Sequence, residues 1–174
     1  VRARGGALAF AVQANGDAPG QYAVLVTPET TVEHQATHGR GLALGETNAT
    51  IVPTVAGNVG LVCGDEGYVP EVARMLALEG ADVIVWSAFT PHPMHERVAR
   101  ARADENRIYV ATAWPGGALI ANPDGALLTA SSAGTGVAMT ATTSVAIARM
   151  KERAPGTHVL RDRVPEAYGP LARG

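Results

Sequence analysis

Cys63 is the residue best suited to nucleophilic chemistry, and it is the single cysteine of the sequence. It ends the apolar run Val59 to Cys63 and is followed by Gly64 and an acidic pair. A turn from a strand into a helix places side chains at the carboxyl edge of a sheet, where α/β proteins carry their chemistry. A thiol there becomes a nucleophile when a base or a positive dipole is near. The alternative is that Cys63 is a small buried hydrophobic residue.

The elements around Cys63 alternate between strands and helices. Short apolar runs predict the strands, and Pro70 and Gly80 mark the start and stop of the first helix. The predicted strands cover residues 51–55, 59–63, 82–86 and 108–113, and the predicted helices cover residues 70–80 and 95–107. This order favours an α/β layered domain.

The flanking segments predict mostly hairpins. Apolar runs around turn clusters predict one hairpin near the start of the chain and another around Asn122-Pro123-Asp124-Gly125. The first hairpin uses residues 7–12 and 22–26, a loop covers 27–50, the second hairpin uses 118–121 and 126–129, a strand covers 136–140, and a short helix covers 143–153. We expect one domain over residues 1–154 and a C-terminal extension over 155–174 that lies on a surface or a partner subunit.

Composition limits the class of protein. The 174 residues are 47% hydrophobic and 17% charged with a net charge of −2, which favours one globular domain over disorder. The charge balance argues against a nucleic-acid partner, and no apolar run reaches the ~18 residues of a membrane span. No signal-peptide pattern follows Val1, and a lone cysteine forms no internal disulfide, so we expect a cytoplasmic protein. We predict no cofactor and no metal. His34 and His38 lie four residues apart and would bind a metal together only on a helix, but their segment is too rich in Thr and Gly to predict one.

The segment around Cys63 resembles the nucleophile segment of the nitrilase, or carbon–nitrogen hydrolase, superfamily. In that family a strand ends in cysteine, followed by an acidic residue two positions later, an aromatic residue, Pro-Glu and arginine. The corresponding residues here are Asp65, Tyr68, Pro70, Glu71 and Arg74. Val69 is one additional residue between the aromatic residue and the proline.

Four later segments extend the resemblance over about residues 50–171. They are similar to the family's Leu-x-x-x-Gly-Ala-Asp strand, its Ala-Arg-Ala-x-Glu-Asn-x-x-Tyr-Val segment, its late hairpin and its closing Arg-x-Pro-x-x-Tyr. In this sequence they occupy residues 76–85, 101–110, 122–125 and 163–168. The ordered set is more specific than any one piece.

The resemblance implies a four-layer αββα sandwich, a homodimer or higher homo-oligomer, and a small amide or nitrile substrate. It implies an amidase in which the Cys63 thiolate forms a thioester with the acyl group, a first glutamate is the general base, a lysine stabilises the oxyanion and a second glutamate supports the site. The backbone N–H of Gly64 is a further oxyanion donor, and Asp65 lines the elbow, the turn that joins the Cys63 strand to the helix beginning at Pro70. Two alternatives remain: a non-catalytic interaction or regulatory module, and an amide-forming acyltransferase.

The family's first glutamate and its lysine have no clear counterpart. By the resemblance, the opening strand–helix segment with the first glutamate lies before this sequence. Glu29 follows Pro28 as the family's glutamate would, but it lies too close to Cys63, and residues 28–31 fit a hairpin turn better. Lys151, the only lysine, lies far from the expected loop.

His38 lies closest to the expected place of the lysine. A protonated histidine can donate to an oxyanion, although its ordinary pKa near 6.5 makes it a weaker constant cation than Arg40. The alternative for His38 is a solvated loop residue. Glu46 matches the family's second glutamate, or else belongs to a turn before the next strand.

Three residues at the end of the 82–86 strand and just after it match the place where the family lines its pocket. Trp86, Ser87 and Phe89 are therefore predicted to bind substrate. The alternative for Trp86 is a plain core residue. Asp65 and Glu66 either line the elbow or cap the helix that begins at Pro70.

Overall fold

The computed structural model describes residues 6–15, 19–38, 49–131 and 144–172. The strands are β1 Leu8–Ala14, β2 Gly20–Val26, β3 Thr31–Gln35, β4 Ile51–Thr54, β5 Gly57–Cys63, β6 Val83–Ser87, β7 Tyr109–Trp114, β8 Gly117–Ala121, β9 Leu127–Ser131, β10 Glu152–Ala154 and β11 Thr157–His158. The α-helices are α1 Pro70–Leu78, α2 His95–Asn106 and α3 Val145–Arg149, and 3₁₀ helices cover Gly64–Tyr68 and Pro165–Ala172. We call Gly64–Tyr68 the elbow.

A six-stranded sheet in the order β4-β5-β6-β7-β8-β9 forms the centre of the fold. The pairs β5–β6 and β6–β7 are parallel, and the other pairs are antiparallel. The parallel pairs follow from the two helical crossovers, because a parallel strand needs a long connection whereas a hairpin needs a few residues. The three central strands are the near-continuous apolar runs typical of strands buried on both faces.

Helices α1 and α2 cover one face of this sheet. Their apolar stripes include Val72 and Leu76 of α1 and Ala99 and Ala103 of α2, all buried in one cluster with the sheet. Pro70 occupies the start of α1, where its missing N–H costs no hydrogen bond. The small residues of α2 let this otherwise charged helix lie close against the strands.

A second sheet, in the order β1-β2-β3, packs on the opposite face. Ala23 and Leu25 of β2 join Leu61 and Cys63 of β5 in a second buried cluster. The described residues thus form a helix layer and two sheets packed face to face. This layering confirms the predicted α/β class and holds Cys63 between the sheets.

Most predicted elements are confirmed, but one strand was predicted as loop and the last helix is shorter than predicted. The segment expected as a loop over residues 27–50 contains β3, which pairs with β2 after a turn closed by the Thr27 N–H donating to Thr30 O. The turn predicted at residues 28–31 is therefore present. The last helix covers only Val145–Arg149, and β10 follows where the sequence predicted more helix. The strand predicted at residues 136–140 lies outside the described residues.

The C-terminal residues lie against the helix layer. The Arg74 guanidinium of α1 donates to Val159 O over 3.1 Å, and Leu160 packs on the helix-side core. The division at residue 154 remains a prediction. Across the described ranges, no helix combines the length and the apolar character that a bilayer crossing requires.

Candidate functional site

Cys63 is the last residue of β5, at the carboxyl end of a parallel strand. Side chains alternate along β5, so Leu61 and Cys63 face the second sheet while Val62 faces the helices. The Cys63 side chain has no exposed surface. The predicted position of Cys63 at a strand end is confirmed. Its side chain is also buried, as the alternative interpretation of a small buried hydrophobic residue expected.

The elbow turns sharply because Gly64 adopts a left-handed conformation with φ +60°. A Cβ added to Gly64 would lie 2.0 Å from Gln21 Oε1, so the β2 side chain lies directly against the backbone here. The indole Nε1–H of Trp86 donates to Gly64 O over 2.8 Å. Contacts from both core faces therefore fix the first residue after the thiol.

Glu66 places a fully buried carboxylate inside the elbow. Its Oε1 accepts hydrogen bonds from the Cys63 N–H and from His34 Nε2, the latter at 2.7 Å. Its Oε2 accepts from the Thr37 N–H at 2.9 Å and from the Thr37 hydroxyl at 3.0 Å. Four donors satisfy a carboxylate whose burial would otherwise be costly. From the sequence, Glu66 was predicted only to line the elbow or to cap the next helix. Its hydrogen bonds with His34 and Thr37 were not predicted.

His34 and Thr37 come from β3 and the residues just after it. His34 is 6% exposed, and its Nδ1 lies 2.9 Å from Thr50 Oγ1. His38 is exposed, and its Nδ1 lies 2.8 Å from Thr37 Oγ1. His38 is therefore linked to Glu66 through one threonine hydroxyl, and its role as an oxyanion donor stays a prediction. Glu46 and Arg40 lie outside the described residues.

Burial controls the electrostatics of the thiol. Desolvation first, and the nearby Glu66 carboxylate second, raise the pKa of the Cys63 thiol from 9.0 to about 12. Both causes oppose a negative charge on sulfur. The thiol of this arrangement is therefore neutral near pH 7, and a thiolate needs added positive charge or a base.

Two of the predicted substrate-binding residues lie beside Cys63, and the third supports the elbow. Ser87 of β6 pairs in register with Cys63, and Phe89 packs against the cluster that contains the thiol. Trp86 is 1% exposed and faces the helix layer. It therefore occupies a core position, which was the alternative to substrate binding in the sequence analysis. Asp65 is exposed at the start of the elbow. Substrate contacts by these residues stay predictions.

A cleft of about 280 Å³ opens on the sheet beside this site. Its lining includes Ser87 and Ala113, which pair with each other and lie on the same sheet face as Cys63. Small and apolar residues of β1, β6, β7 and β8 also line it, among them Ala9, Val85, Ala111, Ala118 and Ile120. The lining is apolar enough for a short acyl chain.

An aromatic cluster supports the elbow from the helix side. The His95 ring stacks on Trp86 at 4.0 Å between centroids and lies 4.4 Å from the Trp114 ring. Its Nδ1 lies 2.9 Å from the Tyr68 hydroxyl and its Nε2 lies 2.7 Å from Thr112 Oγ1. Burial first, and the nearby His92 second, lower the pKa of His95 to about 4. His95 is therefore a neutral structural group at neutral pH.

Lys151 lies at the other end of the central sheet. Its Nζ donates to Arg107 O over 3.0 Å, at the carboxyl end of α2. Helix α2 ends just before β7 begins, so this ammonium lies at the amino edge of the parallel strands and Cys63 at their carboxyl edge. Within the part of the chain that the structure describes, no group of three His, Cys, Asp or Glu side chains is arranged to hold a metal.

Comparison with known proteins places this arrangement in context. The sequence model of a family described as Carbon-nitrogen hydrolase matches residues 17–152. No curated protein sequence matches the chain.

Solved structures share the fold. The amidase NitN from Nesterenkonia sp. AN1 superposes with a TM-score of 0.72 at 19% identity, over 95% of this chain and 69% of that chain. A mutant of that amidase in complex with butyramide gives a TM-score of 0.66 at 20% identity, over 75% and 59%. Nit3 of Saccharomyces cerevisiae, a nitrilase-superfamily member, gives 0.60 at 24% identity, over 68% and 51%.

The chain spans between half and seven-tenths of the lengths of these structures. Their similarity confirms the predicted nitrilase-like α/β fold over part of its length. In a further mutant of the Nesterenkonia amidase, the acetamide moiety of fluoroacetamide is covalently added at the active-site cysteine of that protein.

Proposed function

This chain belongs to the carbon-nitrogen hydrolase family, and we propose that it hydrolyses the C–N bond of a small amide with Cys63 as the nucleophile. The observation that carries the proposal is the position of Cys63, at the carboxyl end of a parallel strand and paired in register with Ser87, which lines the neighbouring cleft. Amidases share this fold, and one of them binds butyramide, which supports a short acyl group as the substrate class.

The proposed reaction begins when the Cys63 thiol loses its proton to a carboxylate. In the family that the chain resembles, this base is the first glutamate, which has no clear counterpart in this sequence, and Glu46 is the candidate for the second glutamate, which supports the site. The thiolate forms a C–S bond with the amide carbon, and the carbonyl oxygen becomes an oxyanion that accepts hydrogen bonds from the Gly64 N–H and the His38 imidazole. The C–N bond then breaks as the base returns the proton to the leaving nitrogen. Water attacks the thioester and releases the carboxylic acid, restoring the thiol.

The test is covalent capture at Cys63 in the full-length protein. We expect fluoroacetamide to add one acetamide group to the protein, detected by intact-protein mass spectrometry and located by peptide mapping. We expect butyramide to be converted to butyrate and ammonia, with both reactions abolished in Cys63→Ala. Ser87→Ala is the matched variant beside the thiol, and it should retain capture with altered KM for amides. A full-length protein that neither adds fluoroacetamide nor hydrolyses short amides would contradict the proposal.

A non-catalytic module is the second candidate, and the buried thiol favours it. With no exposed surface and a pKa raised to about 12, Cys63 as described is chemically quiet. Under this alternative the thiol of the full-length protein reacts with iodoacetamide no faster than a free cysteine. A hyper-reactive thiol at neutral pH would exclude it. Release of hydroxamate with added hydroxylamine would instead indicate acyl transfer to amines.

We also propose that the protein works as a homodimer or higher homo-oligomer. The support is the exposed apolar face of β1, where Leu8, Phe10 and Val12 are all at least 40% exposed. Light scattering coupled to gel filtration tests this directly. A monomeric mass at micromolar concentration would contradict it.

A further inference from the structure

The carboxylate of Glu66 is a buried group close enough to the thiol to raise its pKa, and the proposed reaction does not use it. It lies three residues after Cys63, has no exposed surface, and binds the Cys63 backbone N–H directly. Because the Cys63 N–H, His34 and Thr37 donate to its oxygens, its position is tied to that of the elbow. A carboxylate this close opposes ionisation of the thiol.

His34 is the ionisable donor bonded to that carboxylate. Its Nε2 lies 2.7 Å from Glu66 Oε1, and both side chains are buried, so water screens their interaction weakly. The Thr50 hydroxyl on Nδ1 orients the ring. His34 lies on β3 and Glu66 lies 32 positions later in the elbow after β5, so the packing of the second sheet on the central sheet brings them together.

The other charged groups around the elbow are placed differently. His38 reaches Glu66 only through Thr37, and Asp65 is exposed. On the helix side, Arg102 of α2 donates to the carbonyl oxygens of Gly67 and Tyr68 and pairs with Glu105. His34 is therefore the ionisable side chain in direct contact with the Glu66 carboxylate among the described residues.

We propose that His34 and Glu66 are positioning residues that together set the reactivity of Cys63. The Glu66 carboxylate holds the Cys63 N–H and so fixes the elbow, while the hydrogen bond from His34 Nε2 draws on the carboxylate charge that would otherwise oppose the thiolate. Neither residue touches the reacting carbon. For catalysis this inference rests on the proposed function, but the reactivity of the thiol is measurable without any amide substrate.

The experiment compares thiol reactivity in variants that change charge and keep shape. The probe is methyl methanethiosulfonate, a small thiol reagent, applied at about pH 7 and followed by intact-protein mass spectrometry. Glu66→Gln removes the opposing charge, and we expect the reaction to be at least about tenfold faster, since one neighbouring charge shifts a pKa by about 1–3 units. His34→Gln leaves the carboxylate uncompensated, and we expect a rate at least about threefold slower.

Two further variants separate charge from mere structure. Glu33→Gln neutralises an exposed carboxylate next to His34 on β3, and it should leave the rate within about twofold of wild type. The double variant His34→Gln with Glu66→Gln should react like Glu66→Gln alone, because His34 acts through the carboxylate. If the two residues only stabilised the fold, both single variants would expose the thiol and speed the reaction.

Rates that move in the same direction in both single variants would overturn the inference. Should Glu66→Gln not fold, the slower reaction of His34→Gln decides alone, and a rate equal to or above wild type overturns the inference. The outcomes are separable from those of the amide test. If the two single variants change the thiol reaction rate in opposite directions but the protein hydrolyses no amide, the positioning pair is upheld and the proposed function is refuted. If the protein hydrolyses amides but the two rates do not change in opposite directions, the proposed function is upheld and the positioning pair is refuted.

Discussion

Acid should destabilise this protein through His95 in particular. The His95 imidazole is 1% exposed, stacked on Trp86 and hydrogen-bonded at both ring nitrogens to Tyr68 and Thr112. Its pKa is lowered from 6.5 to about 4 in the folded state. The unfolded chain therefore binds the proton more readily than the folded chain. Stability contributed by the neutral imidazole is present above pH 6.5 and is lost as the pH falls towards 4.

The magnitude follows from these two pKa values. Lowering the pH from 8 to 5 should cost about 2 kcal/mol through His95 alone, and full protonation below pH 4 should cost about 3 kcal/mol. The free energy of unfolding is measured by urea denaturation at both pH values. The informative quantity is the difference in unfolding free energy between wild type and His95→Gln, because that difference isolates the contribution of His95.

The variant His95→Gln removes the titrating group and retains polar atoms. It should be less stable than wild type at pH 8, yet its deficit should shrink by about 2 kcal/mol at pH 5. His92→Gln, on the exposed side of the same segment, is the control and should keep most of the wild-type pH dependence. Equal losses between pH 8 and 5 in wild type and His95→Gln would refute the argument that a buried neutral imidazole supports the elbow.

Three shorter predictions concern the elbow and the sheet edge. In the chain as described, Cys63 should react with iodoacetamide about a thousandfold more slowly than a free thiol at pH 8, because its pKa is about 12 instead of 9.0; a rate within tenfold of free cysteine would contradict its burial. Gly67→Ala should destabilise the protein by about 1–3 kcal/mol or more in urea denaturation, since the new Cβ would lie 2.0 Å from the Trp86 ring. Asp82→Asn should cost about 1–3 kcal/mol, because the buried carboxylate accepts the Asn58 N–H and pairs with Arg149. An unchanged free energy of unfolding would refute either of the last two predictions.

The order of strands and helices around Cys63 was predictable because it depends on local chemistry. Apolar runs, Pro70 at a helix start and the Asn-Pro-Asp-Gly turn each favour one backbone conformation from near neighbours alone. The same local signals predicted the hairpin turn at residues 28–31. The thiol at a strand end and the family resemblance followed from contiguous residues as well.

Strand β3 was missed because its pattern is weak. Thr31–Gln35 has one aliphatic residue, and its inward positions hold Val32 and His34. A histidine on the buried face gives no periodic hydrophobic signal, so the sequence predicted a loop. Pairing with β2 and the hydrogen bond to Glu66 make this short polar strand stable in context.

The types of the reactive residues, and their order along the chain, are properties of the sequence itself. Tertiary structure alone decided that Cys63 is sealed between two sheets, that Lys151 lies at the opposite edge of the strands, and that His34 meets Glu66 across 32 residues. The physical reason is that burial and charge pairing depend on which surfaces pack together. The candidate thiol is thus identified within one segment, whereas its raised pKa comes from burial between the packed sheets and from the Glu66 carboxylate that the elbow places nearby.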